Sequence, residues 1–221
     1  MLFQYFLYEL KIDSLGALSE KLNGTEYEGY NESGGTYFCD YIARISKMKG
    51  ASITPEKLRL YDANICHHTR KVGEKRGGLR WKYFQYVALL FTEIYLDRYF
   101  ADAEGFCTDL NNWLSTKRTE SFGLIDFQPY TVDKLNKLAF MCATGSGKTL
   151  IMHMNILQFL YYYKRAKRLN SKLSINKVIV LAPNEGMSNQ HLEELALSSI
   201  PAAMFQKDRG FTTRRDDVIV I

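Results

Sequence analysis

The sequence predicts an α/β protein in two parts: a mostly helical N-terminal domain over residues 1–115, and a second domain over 116–221 built on a parallel sheet. Three observations carry this. A long periodic stretch, about Trp81 to Tyr99, repeats Phe84, Val87, Ala88, Phe91 and Tyr95 at three- and four-residue steps, the spacing of one helical face. From about residue 124, short apolar runs alternate with helical stretches, the texture of strands buried between covering helices. Between the two lies Ser115-Thr116-Lys117-Arg118-Thr119-Glu120-Ser121-Phe122-Gly123, polar and unpatterned, where a domain boundary is expected.

In chain order, Gly24, Asn31, Gly34 and Gly35 mark loops in the helical part. Thr54-Pro55-Glu56 is a helix start: Thr caps, Pro suits the first helical position, and an acid suits the positive end of the helix dipole. A loop follows from Gly73 to Gly78. The stripe from Phe84 to Tyr95 is expected to be a core face rather than a base-stacking platform. Leu138-Ala139-Phe140-Met141-Cys142 suits a buried strand, and a glycine turn follows it. A helix is expected from Lys148 to about Arg165, with Leu150, Ile151, Met154, Leu157 and Leu160 or Tyr161 inward. Val178-Ile179-Val180-Leu181 suits the next strand. A helix beginning near Gly186 and Ser188 runs to about Leu197. Ile200–Phe205 and Val218–Ile221 are further strands.

Composition excludes several classes. The chain has 221 residues, with 13 Phe and 15 Tyr to fill a core. A formal net charge of +5 is compatible with a polyanionic partner. Cys39, Cys66, Cys107 and Cys142 form no C-x-x-C pair and suggest no disulfide framework, which fits a reducing, cytoplasmic setting. The apolar N-terminus is short and broken by Gln4 and Glu9, a poor signal peptide. No run approaches the roughly 18 apolar residues of a membrane span, so no membrane partner is expected.

Ala143-Thr144-Gly145-Ser146-Gly147-Lys148-Thr149 carries the chemistry. A triphosphate must be held by many donors at close range. Gly145 and Gly147 permit backbone angles closed to other residues, so successive N–H groups can curl around an anion at the positive end of the following helix. Lys148 would reach the outer phosphates, and the Thr149 hydroxyl would ligate Mg²⁺. Thr144, Gly145, Ser146, Gly147, Lys148 and Thr149 are therefore the expected nucleotide contacts, with Lys148 and Thr149 as the catalytic pair. The usual G-x-x-x-x-G-K-[ST] pattern has Gly at its first position; here that position is Cys142.

These residues resemble motif I of superfamily 2 helicases, in which the first glycine is often absent. Pro183, Met187 and Gln190, within Ala182 to Gln190, match the spacing of motif Ia. Phe127-Gln128-Pro129-Tyr130 is similar to the adenine-recognising segment of that superfamily, although a buried or capping role for Gln128 is the equal alternative. The stretches Tyr83 to Phe100 and Pro183 to Leu195 resemble the DEAD/DEAH-box group that includes type III restriction-enzyme motor subunits. The resemblance spans roughly residues 50–221. It implies an incomplete RecA-like P-loop NTPase domain after the helical part, ATP and Mg²⁺ as cofactors, and a parent that is an ATP-hydrolysing helicase or translocase of restriction or phage-defence type. Nucleic acid, DNA before RNA, would be the partner, beside a methyltransferase or nuclease subunit. Pro183, Asn184, Gly186, Ser188 and Gln190 would be the nucleic-acid contacts. The alternative track is the basic run Lys164, Arg165, Lys167, Arg168, Lys172 and Lys177, expected at the far end of the helix from the phosphate loop.

What is missing also counts. No D-E-x-H box and no arginine-finger motif follow the loop. Asp216 and Asp217 precede an apolar run, whereas a Walker B acid follows its strand, so they are expected to be a turn. The chain is therefore expected to be an N-terminal fragment or a degenerate remnant that binds ATP without turning it over. A P-loop enzyme of another class, such as a small-molecule kinase, and a non-catalytic nucleotide-binding or interaction module are the rival readings. Cys66-His67-His68 has no further ligands at a useful spacing and is read as structural. So are His153 and His191, and Asp62, His67 and Arg70 are read as a solvated helix face.

Overall fold

The computed structural model describes residues 2–120, 128–205 and 218–221. Six α-helices come first: α1 (Leu2–Glu9), α2 (Leu15–Leu22), α3 (Tyr37–Met48), α4 (Pro55–Gly73), α5 (Tyr83–Ala101) and α6 (Ala103–Glu120). Then follow α7 (Lys148–Leu169), β1 (Val178–Val180), α8 (Glu185–Leu197), β2 (Ala202–Met204) and β3 (Val218–Val220). The described chain is thus mostly helical, with one small parallel sheet. Among the described residues no helix is long and apolar enough to cross a membrane.

The start signals act as the sequence predicts. Thr54 caps α4, its hydroxyl accepting from Lys57 N at 3.3 Å, with Pro55 in the first turn. Thr36 caps α3 in the same way, accepting from Cys39 N at 3.0 Å. The helix α4 ends at Gly73, and a 3₁₀ turn over Glu74–Arg76 closes on Gly77 at φ 73°, a left-handed angle that suits glycine. The polar stretch proposed as a boundary continues α6 as far as Glu120, and residues 121–123 lie outside the described ones.

The helix α5 differs from its predicted single face. Tyr86, Leu89, Leu90, Glu93 and Ile94 are its most buried positions, while Phe84, counted on the core stripe, is 41% exposed. Apolar residues surround nearly the whole helix because α4, α6 and α7 all pack on it, and a helix enclosed on several sides has no one apolar stripe to read. Its partner α7 buries Ile151, Met154, Ile156, Leu157, Tyr162 and Tyr163. The predicted inner positions Ile151, Met154 and Leu157 are thus buried, Leu150 and Leu160 are half-buried against the core, and Tyr161 is exposed.

Polar groups tie these helices together where the packing is closed to water. Glu93 accepts from both Asn64 of α4 and Gln158 and Tyr162 of α7. Asp62, expected on a solvated face, is buried: it accepts from Thr36 N at 2.9 Å, Thr36 Oγ1 at 2.6 Å and the Tyr86 hydroxyl at 2.7 Å. Helical spacing with His67 and Arg70 could not reveal donors that come from α3 and α5. Arg76 donates to Glu194 O and Oε2 and to Ser198 Oγ, while Lys75 donates to Ala196 O. Cations so placed add a second donor to carbonyls that already accept from the Ser198 and Ser199 N–H groups, and they stand at the negative end of the α8 dipole.

The sheet order is β1-β3-β2, all parallel. In the centre, β3 is buried at all three positions because both neighbours cover its edges. The ladder runs on beyond the strands, with Ile221 N donating to Val180 O and Ala182 N to Ile221 O. The expectation of a strand at Leu138–Cys142 is corrected: this run forms no strand, Met141 is fully exposed, and Leu138 and Phe140 are 38% exposed. Apolar character does not make a strand without a ladder partner for its backbone, and this run pairs with neither β1 nor β2. Asp216 and Asp217 lie outside the described residues.

Candidate nucleotide site

The loop Ala143–Gly147 turns directly into α7, a helix of 22 residues. Gly145 and Gly147 both hold left-handed backbone, at φ 77° and 82°. These are the angles for which glycine was predicted at those positions. Ser146 N donates to Ala143 O at 3.3 Å and closes the turn. Gly147 is the N-cap of α7, and its carbonyl accepts from Ile151 N at 3.1 Å. The N–H groups of the first helical turn have no intrahelical partner and stand at the positive end of the dipole.

Lys148 is exposed, and its Nζ folds back over the loop, donating to Ala143 O at 2.8 Å and Cys142 O at 3.3 Å. An ammonium held by two carbonyls sits close to the loop and can be drawn to a stronger acceptor such as a phosphate oxygen. Thr149 follows within the first turn and is half-buried. Thr144 is exposed, and Ser146 is half-buried. The Ser146 Oγ atom is buried without a hydrogen-bond partner among the described residues, a polar atom suited to an additional acceptor or donor.

One contributor had no role in the sequence reading. Gln85, in the first turn of α5, donates from Nε2 to Ser146 O at 2.8 Å, while its Oε1 accepts from Lys82 N at 2.9 Å. The signal was the Lys82-x-x-Gln85 spacing, since Gln at the third helical position bonds back to the cap residue. No local pattern could show its second bond, which spans 61 residues.

The other predicted residues stand apart from the loop. Gln128 is exposed, and among the described residues no hydrogen bond joins it to the loop. Tyr130, two residues on, is fixed to α6, its N–H donating to Asn111 Oδ1 at 2.8 Å and its carbonyl accepting from Asn111 Nδ2 at 2.9 Å. In the predicted motif Ia, Asn184 caps α8 and accepts from Met187 N at 2.9 Å. Ser188 is buried and donates to Asn184 O at 3.1 Å. Pro183, Gly186 and Gln190 are exposed around the start of α8. The basic run lies at the far end of α7 and beyond, where Arg165 donates to Asp97 Oδ1 at 3.1 Å and Lys167 stands over the Tyr163 ring.

No family model, no curated protein and no solved structure matches this chain.

Proposed function

We propose that Ala143–Thr149 holds the phosphates of Mg²⁺-ATP, and that the chain serves an ATP-dependent nucleic-acid helicase or translocase as its phosphate-holding part. The observation that carries the nucleotide reading is the pairing of two left-handed glycines with a helix N-terminus and an adjacent lysine. Together they supply backbone donors, a dipole and a mobile cation at one point. The unpartnered Ser146 Oγ fits the same use. In this reading the N–H groups of Gly145 to Thr149 cradle the phosphate chain, and Lys148 leaves the carbonyls of Cys142 and Ala143 for the outer phosphates. The Thr149 hydroxyl then joins the Mg²⁺ shell.

The helicase reading, with its RecA-like domain and a restriction or phage-defence setting, rests on the motif resemblance. It is compatible with a parallel sheet and with a helix start after β1 that exposes Gly186 and Gln190. The N–H groups of Glu185 and Gly186, which the Asn184 cap leaves free, could meet the phosphates of a nucleic-acid backbone. Hydrolysis would further require an acid on the Mg²⁺ shell and a cation at the transferred phosphoryl group, so binding is the property this chain can be asked for first.

Titration of a fluorescent ATP analogue with Mg²⁺ against the chain and Lys148→Ala tests the site. The variant should bind at least about tenfold more weakly, the loss of one charge-assisted contact. Equal affinity removes the phosphate-loop assignment. In the same assay Gln128→Ala should weaken ATP more than GTP if its amide reads the adenine edge; equal effects make it structural.

A further inference from the structure

We propose that Gln85 is the positioning residue of the phosphate loop, an arm from the helical domain that sets the Ser146–Gly147 peptide for nucleotide binding. The inference rests on the nucleotide reading above.

The geometry of one peptide plane carries it. Gln85 Nε2 donates to Ser146 O at 2.8 Å. A trans peptide is planar and its C=O and N–H point in opposite directions. Drawing the Ser146 carbonyl toward α5 therefore aims the Gly147 N–H away from α5. If that carbonyl were free, the plane could rotate, because Gly147 flanks it and glycine accepts many backbone angles. A loop that binds anions with N–H groups gains most when those groups are already turned the right way, since no ordering cost then falls on binding.

Gln85 is itself held in place. Its Oε1 accepts from Lys82 N, the cap residue of its own helix, at 2.9 Å, so the amide is fixed at both ends. Behind it, α5 packs along α7, the helix that the loop opens. The approach is close: a Cβ added to Gly147 would lie 2.5 Å from Gln85 Nε2. Glycine at 147 thus meets two demands, a left-handed angle and room for the arm from α5. Residues separated by 61 positions in the chain in this way set one binding element.

The two bonds of Gln85 can be separated. Gln85→Glu keeps an acceptor for Lys82 N and loses the donor to Ser146. Gln85→Met has similar length, carries no charge and loses both. The full chain, wild type and variants, is titrated with a fluorescent Mg²⁺-ATP analogue, and each is melted without nucleotide. Lys148→Ala is measured alongside. If Gln85 positions the loop, both variants bind ATP about five- to tenfold more weakly, as for one lost hydrogen bond, and Gln85→Glu melts with the wild type. Weakening in Gln85→Glu alone would reduce the effect to charge repulsion and overturn the proposal. So would unchanged affinity in both variants while Lys148→Ala loses binding. Unchanged affinity in Lys148→Ala as well would instead overturn the nucleotide site itself. Should Gln85→Glu fail to fold, Gln85→Met decides by the same comparison.

Discussion

Glu93 of α5 and Gln158 of α7 meet at 2.6 Å in the seam between the two helices, and neither side chain is exposed. Gln158 Nε2 also donates to Leu89 O at 3.0 Å, and the Tyr162 hydroxyl donates to the other Glu93 oxygen at 2.7 Å. Among the described residues no cation pairs with this carboxyl; amides and a phenol hold it instead. Burial is the main influence on its ionisation, and it pushes the Glu93 carboxyl up to about 7, against the pull of these hydrogen bonds.

A pH dependence follows. An unfolded Glu ionises near 4.5, whereas folded Glu93 keeps its proton up to about 7. Between these values the folded chain binds more protons than the unfolded chain, so this group's contribution to stability declines as pH rises. Glu93→Gln removes the titration and leaves an amide in the seam. The stability of wild type relative to this variant should fall between pH 5 and 7.5, by on the order of 2–3 kcal/mol. Urea denaturation of both proteins at the two pH values measures it; a constant difference would show that Glu93 is ionised throughout.

His153 should act in the opposite direction. It is buried on α7, its Nδ1 lies 2.7 Å from Ser198 Oγ, and burial, followed by the nearby Arg76 charge, lowers its pKa to about 4. Below about 6.5 the unfolded chain takes up a proton that the folded chain refuses, so stability is lost as pH falls from 6.5 toward 4. His68 is lowered in the same way and adds to that slope. His153→Asn keeps a polar atom toward Ser198 and cannot titrate. It should reduce the acid loss by on the order of 2 kcal/mol, read from thermal or urea midpoints at pH 4.5 and 6.5. An identical acid slope in the variant would assign the loss to other groups.

What the sequence made legible was local. The cap at Thr54, the strands at Val178 and Val218, and the left-handed glycines at 145 and 147 all follow from residues within a few positions of one another. The misreadings needed distant partners. The inner face of α5 was obscured because α2, α4, α6 and α7 all pack on it. Asp62 looked solvated because its donors Thr36 and Tyr86 stand 26 and 24 residues away. Leu138–Cys142 has the composition of a strand, and only the absence of a ladder partner shows that it is not one here. At the candidate site the glycine turn and the helix start were readable, whereas the bond from Gln85 was not.

The exposed apolar residues Met141, Ile179 and Leu181 should promote association. Met141 is fully exposed, Leu181 is 76% exposed and Ile179 on the outer strand β1 is 50% exposed. Exposed apolar side chains favour association, and Ile179 and Leu181 lie on and directly after an outer strand of the described sheet. Sedimentation velocity over a range of concentrations should show a rising weight-average mass for the wild type. The double variant Met141→Lys, Leu181→Lys should lower it at every concentration. A concentration-independent monomer would mean that these residues are tolerated singly, as scattered surface apolar groups commonly are.

The last prediction separates the two candidate tracks for nucleic acid. Six basic residues between Lys164 and Lys177 form the larger charge cluster, yet they gather at the far end of α7 from the phosphate loop, and Arg165 is already engaged by Asp97. The start of α8 carries no lysine or arginine and has the acid Glu185 in its first turn, so its reading as a track rests on the backbone N–H groups of Glu185 and Gly186 that the Asn184 cap leaves free. Asn184 and Ser188 shape that start from within, through the cap and the buried hydroxyl, so altering either would confuse binding with folding. Gly186 and Gln190 are the exposed positions. Gly186→Asp is informative because an acid in the first helical turn suits the dipole and preserves the helix, while it repels a phosphate. Binding of labelled single-stranded DNA should therefore weaken about tenfold in Gly186→Asp with Gln190→Ala. Lys164→Gln, Lys167→Gln and Arg168→Gln together should change it by less than about threefold at near-physiological salt, where loosely held charges are screened. All titrations must share one salt concentration, since phosphate contacts scale with it. The reverse order of effects would move the track to the basic run and leave the start of α8 with a purely structural role.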